Sequence, residues 1–304
     1  MIILVIGGNG FIGSHLIDHL LKKGHKVRVF DIAYERFRQP LANVDYRIST
    51  LENIPDLYES LLGIDMIFHL ATSSVPSTSN IDTIADINKN LLTMINVMNI
   101  AVKVGIKRIV YFSSGGAVYG NPISSIISED HPIRPISSYG IVKSTIENYL
   151  FIYQRLYDIQ PLILRPSNPY GTRQGHFMAQ GVISTFLRQI KINDPITVYG
   201  DGESTKDYIY VEDLINQCYR LSISNEVGIF NVGSGIGSSI NEILSIVKDV
   251  TKSNFDVNYI EKKNYDVEHF VLDTSKTLSV LGTQPILPLS DGVSKVWDWV
   301  KTVF

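Results

Sequence analysis

The chain has 304 residues, 44% of them hydrophobic, enough to build one large α/β domain or two smaller ones around a true core. Its 27 basic and 30 acidic side chains leave a net charge of −3, which excludes a nucleic-acid footprint and a polybasic membrane patch. No apolar run approaches the ~18 residues of a membrane helix, and a single cysteine permits no internal disulfide. A soluble protein of a reducing, cytoplasmic compartment is expected. The cysteine, Cys218, falls in the helix-like run VEDLINQCYRLSI and reads as a small buried apolar side chain.

MIILVIG opens the chain as a continuous apolar run, the pattern of a strand buried on both faces. It enters GGNGFIG, with glycines at Gly7, Gly10 and Gly13. SHLIDHLLKKG follows, placing Leu16, Ile17, Leu20 and Leu21 on one helical stripe and Gly24 at its stop. KVRVF is then a second strand ending in Asp31. Strand, glycine turn, helix, strand and acid together specify dinucleotide binding. The glycines let backbone amides approach a pyrophosphate, and the helix N-terminus adds partial positive charge. An acid in the position of Asp31 binds a ribose 2′-hydroxyl and repels a 2′-phosphate, so NAD is expected over NADP. Arg36 and Arg38 are the side chains able to fold back toward a 2′-phosphate.

Further along, IDMIFHLA (64–71) is another buried strand, 85–105 has helical periodicity, and KRIVYFSS (107–114) is the next strand. This alternation predicts an α/β fold with a doubly wound parallel sheet, its ligand lying beyond the C-terminal strand ends. His69, Ser113 and Ser114 fall at such ends. His69 reads as a turn or backbone contact and not as a base. The histidines show no metal-ligand spacing, so no metal is expected. Phe112 and Gly115-Gly116 flank the serines, so the G-x-S-x-G pattern of a hydrolase nucleophile is absent. In SSYGIVKSTIENYL (137–150), Tyr139 and Lys143 lie four apart, on one face of a helix. An ammonium and a nicotinamide cation beside a phenol lower its pKa. Such a pair beside NAD can take a proton from a carbinol while hydride leaves carbon, with a serine hydroxyl holding the same oxygen.

The motifs GGNGFIG, HLA, SSGGAVYG, SSYGIVK, LRPSNPYG, YGDGESTKDYIYVEDL and FNVGSG resemble the extended short-chain dehydrogenases/reductases, in the branch of nucleotide-sugar epimerases and dehydratases. They run from residue 7 to about 235, with a weaker match at 271–282. The resemblance implies a Rossmann-type dinucleotide domain over 1–165 and a smaller α/β substrate domain over 166–304, with about 206–235 returning to the first. It implies Tyr139 as catalytic acid/base and Lys143 as its partner and a ribose ligand. Gly7, Gly10, Phe11, Ile12 and Gly13 hold the pyrophosphate, Asp31 takes the adenosine ribose, and Leu70 and Asn90 lie near the cofactor. Asn168 contacts the substrate's diphosphate side, with Tyr199, Lys206 and Lys263 completing the nucleotide site. Lys206 and Lys263 stand where the family has arginines, so they contribute point charges without the bidentate fork. Thr50 takes the place of an acid near the adenine.

The family usually carries Ser or Thr where this chain has Gly115, four residues before Tyr119. Counted from the strand end, Ser114 fits as the proton-handling and substrate-contacting serine, with Ser113 as the alternative. Dehydratases of the family carry adjacent Asp and Glu here; Gly115, Gly116 and Ala117 offer no carboxylate for that elimination. Phe270 occupies a position where a bulky side chain resembles enzymes of plain hexoses. The resemblance therefore implies an NAD-dependent 4-epimerase of the UDP-glucose type, serving surface-polysaccharide sugar synthesis. A reductase of a nucleotide-linked 4-keto-6-deoxyhexose, using NADH or NADPH, shares the same residues and stays open. A non-catalytic dinucleotide sensor is the third reading. The expected partners are a nucleotide-diphosphate sugar and, by family habit, a second copy paired through two helices of the cofactor domain.

Overall fold

The computed structural model describes residues 1–174, 181–261 and 269–303. The chain separates into two compact units. The first holds Met1–Gly120, Pro132–Arg165 and Cys218–Phe230; the second holds Asn121–His131, Pro166–Gln217 and Asn231–Phe304.

In the first unit the order is β1 (Ile2–Ile6), α1 (Phe11–Lys22), β2 (Lys26–Asp31), β3 (Val44–Ile48), α2 (Ile54–Leu61), β4 (Met66–His69) and α3 (Thr83–Asp86). A π-helical turn at Ile87–Leu92 leads into α4 (Thr93–Val104), then β5 (Arg108–Phe112), α5 (Gly115–Val118), α6 (Ser138–Tyr157) and β6 (Gln160–Pro166). The strands pair in parallel in the order β3-β2-β1-β4-β5-β6, and the strand Gly228–Val232 lies at the far edge of β6. This is the doubly wound, Rossmann-like sheet, in which β2 and β4 flank β1 and leave a crevice beyond its end. Ile6, His69 and Tyr111 are in register there. The strands read as apolar runs because both faces are covered: Leu4 and Ile67 in the sheet pack with Leu57, Val97, Met98 and Ile146 from the helices. Leu16, Ile17 and Leu20 of α1 are fully buried, and Gly24, at φ +79°, takes the chain out of that helix. Arg108, at the start of β5, donates to the carbonyls of Leu221, Ser222 and Glu226, fastening Cys218–Phe230 to this unit.

The helical periodicity over 85–105 resolves differently from a single helix. The chain makes one α-turn, loosens into the π-helical turn, and only then runs as α4. A π-turn adds one residue to the repeat, and it sits here because Asn90 is drawn inward by buried polar partners.

The second unit contributes β7 (Asn168–Tyr170), α7 (Val182–Lys191), β8 (Ile196–Tyr199), β9 (Thr205–Tyr210), α8 (Val211–Ser222), β10 (Gly228–Val232, shared at the unit boundary), β11 (Gly237–Ser239), α9 (Ile240–Thr251), β12 (Val257–Ile260), β13 (His269–Phe270), α10 (Ser275–Leu281) and α11 (Leu289–Val303). β11, β9 and β13 form one small sheet with β7 on β9, and β8 pairs with β12 in another. Its core gathers Tyr170, Phe186, Ile196, Tyr210, Ile243 and Val296. Cys218 is fully buried on α8, and burial pushes its thiol up, as a structural apolar residue requires. Among the described residues, no helix is long and apolar enough to cross a membrane.

Candidate active site

The glycine turn is shaped by three different demands. Gly7 has φ +80°, and a Cβ there would stand 2.6 Å from the Ala71 nitrogen. A Cβ on Gly13 would stand 2.4 Å from the Gly7 oxygen. Both glycines are needed by the fold itself. Gly10 is not, because its Cβ would meet only the Gly7 oxygen, at an ordinary 3.5 Å. Gly10 is the N-cap of α1, no side chain caps that end, and no acid lies in its first turn, where Phe11 and Ile12 are half-buried. A smooth, uncapped helix N-terminus is a cradle for an anion, and it fits a pyrophosphate.

Asp31 ends β2. Its carboxylate accepts from the backbone N–H groups of Asn9 (2.9 Å) and Ile32 (2.7 Å), while burial pushes its pKa up. Arg38 is committed elsewhere: its Nε donates to Glu35 at 2.6 Å, and the same guanidinium pairs with Asp18. Leu70 donates its N–H to Ile6 at 2.9 Å, closing the crevice floor. Asn90, on the π-turn, accepts from the Ser73 N–H at 2.9 Å and donates to Asp86 at 2.7 Å.

Beyond β5 the two serines separate. Ser113 is buried, and its hydroxyl donates to Glu147, which also receives Arg165 through Nη2 at 2.6 Å and Nε at 3.0 Å. Ser114 is the N-cap of α5, and its hydroxyl is hydrogen-bonded with the Tyr139 phenol. The short helix α5 presses on α6 because Gly140 has no side chain: a Cβ there would lie 2.3 Å from the Ala117 carbonyl. Ser137 caps α6, its Oγ accepting from the Gly140 N–H. One turn on, Lys143 donates to the Phe112 carbonyl at 2.7 Å and lies 4.7 Å from the Tyr111 ring centre and 5.6 Å from that of Tyr139. Tyr139, Lys143 and Asn90 line one small cleft with His69, Asp86 and Tyr111.

Burial sets the electrostatics of this cleft. It lowers the Lys143 ammonium to about 8, with Glu147 and Asp86 pulling the other way. It raises Tyr139 to about 12, with the Ser114 hydrogen bond opposing and Asp86 adding to the rise. Desolvation is the leading cause of that rise. His69 is buried at the end of β4, and burial drops its pKa to about 3. It is a neutral wall residue of the cleft.

Of the residues expected on the substrate side, Asn168, Tyr199 and Lys206 lie in the second unit. Asn168 begins β7 and donates to the Asp207 carbonyl at 3.0 Å. Asp207 is buried, its carboxylate holding Ser234 and Gly235. Lys206, on β9, is in register with Ser238 and Phe270, and Phe270 is buried. Tyr199 ends β8 in the other small sheet and is exposed. Lys263 lies outside the described residues. Sequence reasoning passed over Asp86, Ser138, Glu147 and Arg165; only the Asp-x-x-x-Asn spacing of residues 86 and 90, one helical turn, hinted at the first.

A dinucleotide crevice with a Ser-Tyr-Lys set at its strand ends defines a short-chain dehydrogenase/reductase class of protein. Residues 3–233 match the family model described as the NAD dependent epimerase/dehydratase family, and the chain belongs to that family. It is 30% identical over 306 residues, 98% of each chain, to the UDP-glucose 4-epimerase of Mycolicibacterium smegmatis. It is 31% identical to the dTDP-4-dehydro-6-deoxyglucose reductase of Escherichia coli, covering 97% of this chain and 96% of that one. The UDP-glucose 4-epimerase of Thermotoga maritima, solved with UDP-glucose, superposes with a TM-score of 0.94 at 29% identity over 99% of each chain. That of Thermus thermophilus, solved with NAD, gives 0.92 at 29% identity, also over 99% of each chain.

Proposed function

We propose that this protein is an NAD-dependent nucleotide-sugar 4-epimerase acting on a UDP-hexose of the glucose/galactose pair. The observation that carries the reading is the gathering of Ser114 and Lys143 around Tyr139, beside a loop whose Gly115, Gly116 and Ala117 offer no carboxylate for elimination. The uncapped helix behind Gly10 takes the pyrophosphate, Asp31 the adenosine ribose, and Lys143 and Asn90 flank the reacting end. With Arg38 tied to Glu35 and Asp18, the loop after Asp31 favours NAD over NADP.

A bound NAD supplies a reversible hydride acceptor, so the sugar's net oxidation state is unchanged. Tyr139 takes the proton of the sugar O4 hydroxyl as C4 is oxidised and returns it when C4 is reduced from the other face. Ser114 holds the same oxygen. Lys143, kept cationic at neutral pH, supplies the positive charge that favours the phenolate. Asn168, Tyr199, Lys206 and Lys263 serve the nucleotide diphosphate. Ile141, Phe151, Ile152 and Leu156 expose an apolar stripe on α6, which supports pairing with a second copy. The likeness to the Escherichia coli reductase supports a second reading, reduction of a 4-keto-6-deoxy nucleotide sugar.

Proton NMR of the anomeric signals separates the two. Purified protein with UDP-galactose and, separately, UDP-glucose should drive both samples to one equilibrium mixture without added reductant. Tyr139→Phe should slow this by about 10²–10⁴-fold while still binding NAD. If neither sugar changes, the UDP-hexose reading falls and the keto-sugar reduction takes its place.

A further inference from the structure

The cleft contains one buried acid that no step above uses. Asp86 closes α3, and its side chain is almost entirely covered. Its Oδ1 accepts from the Ser74 hydroxyl and from Asn90 Nδ2 at 2.7 Å, and its Oδ2 accepts from the Ser138 hydroxyl at 2.6 Å. Asn90 Nδ2 also donates to the Asp86 carbonyl at 3.1 Å. Ser138 is the residue before Tyr139, and its own N–H donates to Asn80 at 2.8 Å. Three donors converge on the two oxygens, the arrangement suited to a carboxylate.

The surrounding charges make this acid distinctive. From α6, Lys143 and Glu147 face the Tyr139 region; β5 presents Tyr111, β4 presents His69, and the π-turn carries an exposed Lys89. Glu147 is closed in its pair with Arg165 of β6. His69 is neutral and Tyr111 is a buried phenol held well up by desolvation. Beside Glu147, Asp86 is therefore the second buried acid that acts on Lys143. We propose that Asp86 is a positioning residue of the reaction: its carboxylate clamps the start of α6 to the π-helical turn and sets the charge balance beside Lys143 under which Tyr139 takes up and releases its proton. The inference rests on Tyr139 being the acid/base. Asp86 acts on both partners in the same direction, raising the phenol and the ammonium together.

The test is a titration of Tyr139 by phenolate absorbance. Wild type and Asp86→Asn are each measured with NAD bound, and each is subtracted from its own Tyr139→Phe counterpart to isolate the one phenol. Asn retains the size and much of the hydrogen bonding but removes the charge. The midpoint should fall by about one pH unit, the effect of a single charge several ångströms away in protein surroundings. In turnover assays the acidic limb of kcat/KM should fall with it, in a variant that still folds and binds NAD. An unmoved midpoint in a folded, NAD-binding variant overturns the electrostatic role. Ser138→Ala cuts the clamp and keeps the charge; it should lower kcat about tenfold with the midpoint in place, and a wild-type kcat overturns the clamp. If no sugar is turned over by the wild type, the epimerase reading fails, yet the absorbance titration still decides the role of Asp86.

Discussion

Replacing Glu147 with Gln should be among the most damaging single changes in the first unit. Glu147 and Arg165 are both almost entirely buried, joined by hydrogen bonds of 2.6 and 3.0 Å, with the Ser113 hydroxyl on the same carboxylate. The guanidinium also faces the Tyr119 ring, 4.7 Å from its centre. Glutamine keeps the shape but removes the carboxylate charge from a buried ion pair, a change that costs about 3–5 kcal/mol. For a chain of 304 residues the entropy of unfolding is about 0.6 kcal/mol per degree, so the melting temperature should fall by about 5–8 °C. Differential scanning calorimetry reads this directly. The double variant Glu147→Leu with Arg165→Met, which removes both charges, should recover most of the loss. A melting temperature within a degree of wild type for Glu147→Gln, or a double variant worse than the single one, would refute the buried-pair argument. The same single change removes one of the two acids that hold the Lys143 ammonium at about 8, so any alkaline limb due to that lysine should move to lower pH.

Two further outcomes follow from the glycine turn and from His69. Gly13→Ala should unfold the first unit or destabilise it severely, because its Cβ meets the Gly7 oxygen at 2.4 Å, whereas Gly10→Ala should melt normally and lose NAD affinity in a calorimetric titration; normal NAD binding by Gly10→Ala would remove that position from the cofactor cradle. His69 has its pKa depressed from 6.5 to about 3, so the stability it confers is present above pH 6.5 and is lost as the pH falls toward 3. Between pH 7 and pH 5 this amounts to about 2 kcal/mol, which His69→Phe should abolish in urea unfolding. An unchanged pH dependence in that variant would show that the ring is reached by water.

The parts legible in the sequence are those written by local pattern. Apolar runs ending at Ile6, Asp31 and His69 mark strands whose order the parallel topology then supplies. Gly7 and Gly13 announce themselves because backbone packs where a side chain would stand. Tyr139 and Lys143 are a helical turn apart on α6, so their meeting needs no tertiary knowledge. What could not be read is made by long-range closure. Asp86 meets Ser138, and Glu147 meets Arg165, only when β5 and β6 have brought α6 against the π-turn. The same closure buries Tyr139: sequence spacing shows the charge of Lys143 but not the depth of burial around the phenol. The π-turn itself escapes periodicity analysis, because one added residue leaves the apolar pattern of 85–105 almost intact.

The adjacent serines after β5 carry a last consequence for anyone redesigning this loop. One hydroxyl is riveted to Glu147 in the scaffold, and its neighbour touches the Tyr139 phenol. Successive residues of an extended segment point to opposite sides. A single residue inserted after Phe112 would therefore carry the Ser113 hydroxyl to the Tyr139 side and leave the Glu147 side to the newcomer, with both serines still present. Loop length here is constrained to the residue, and homology transplants of this segment should preserve the count from Phe112 before they preserve any side chain.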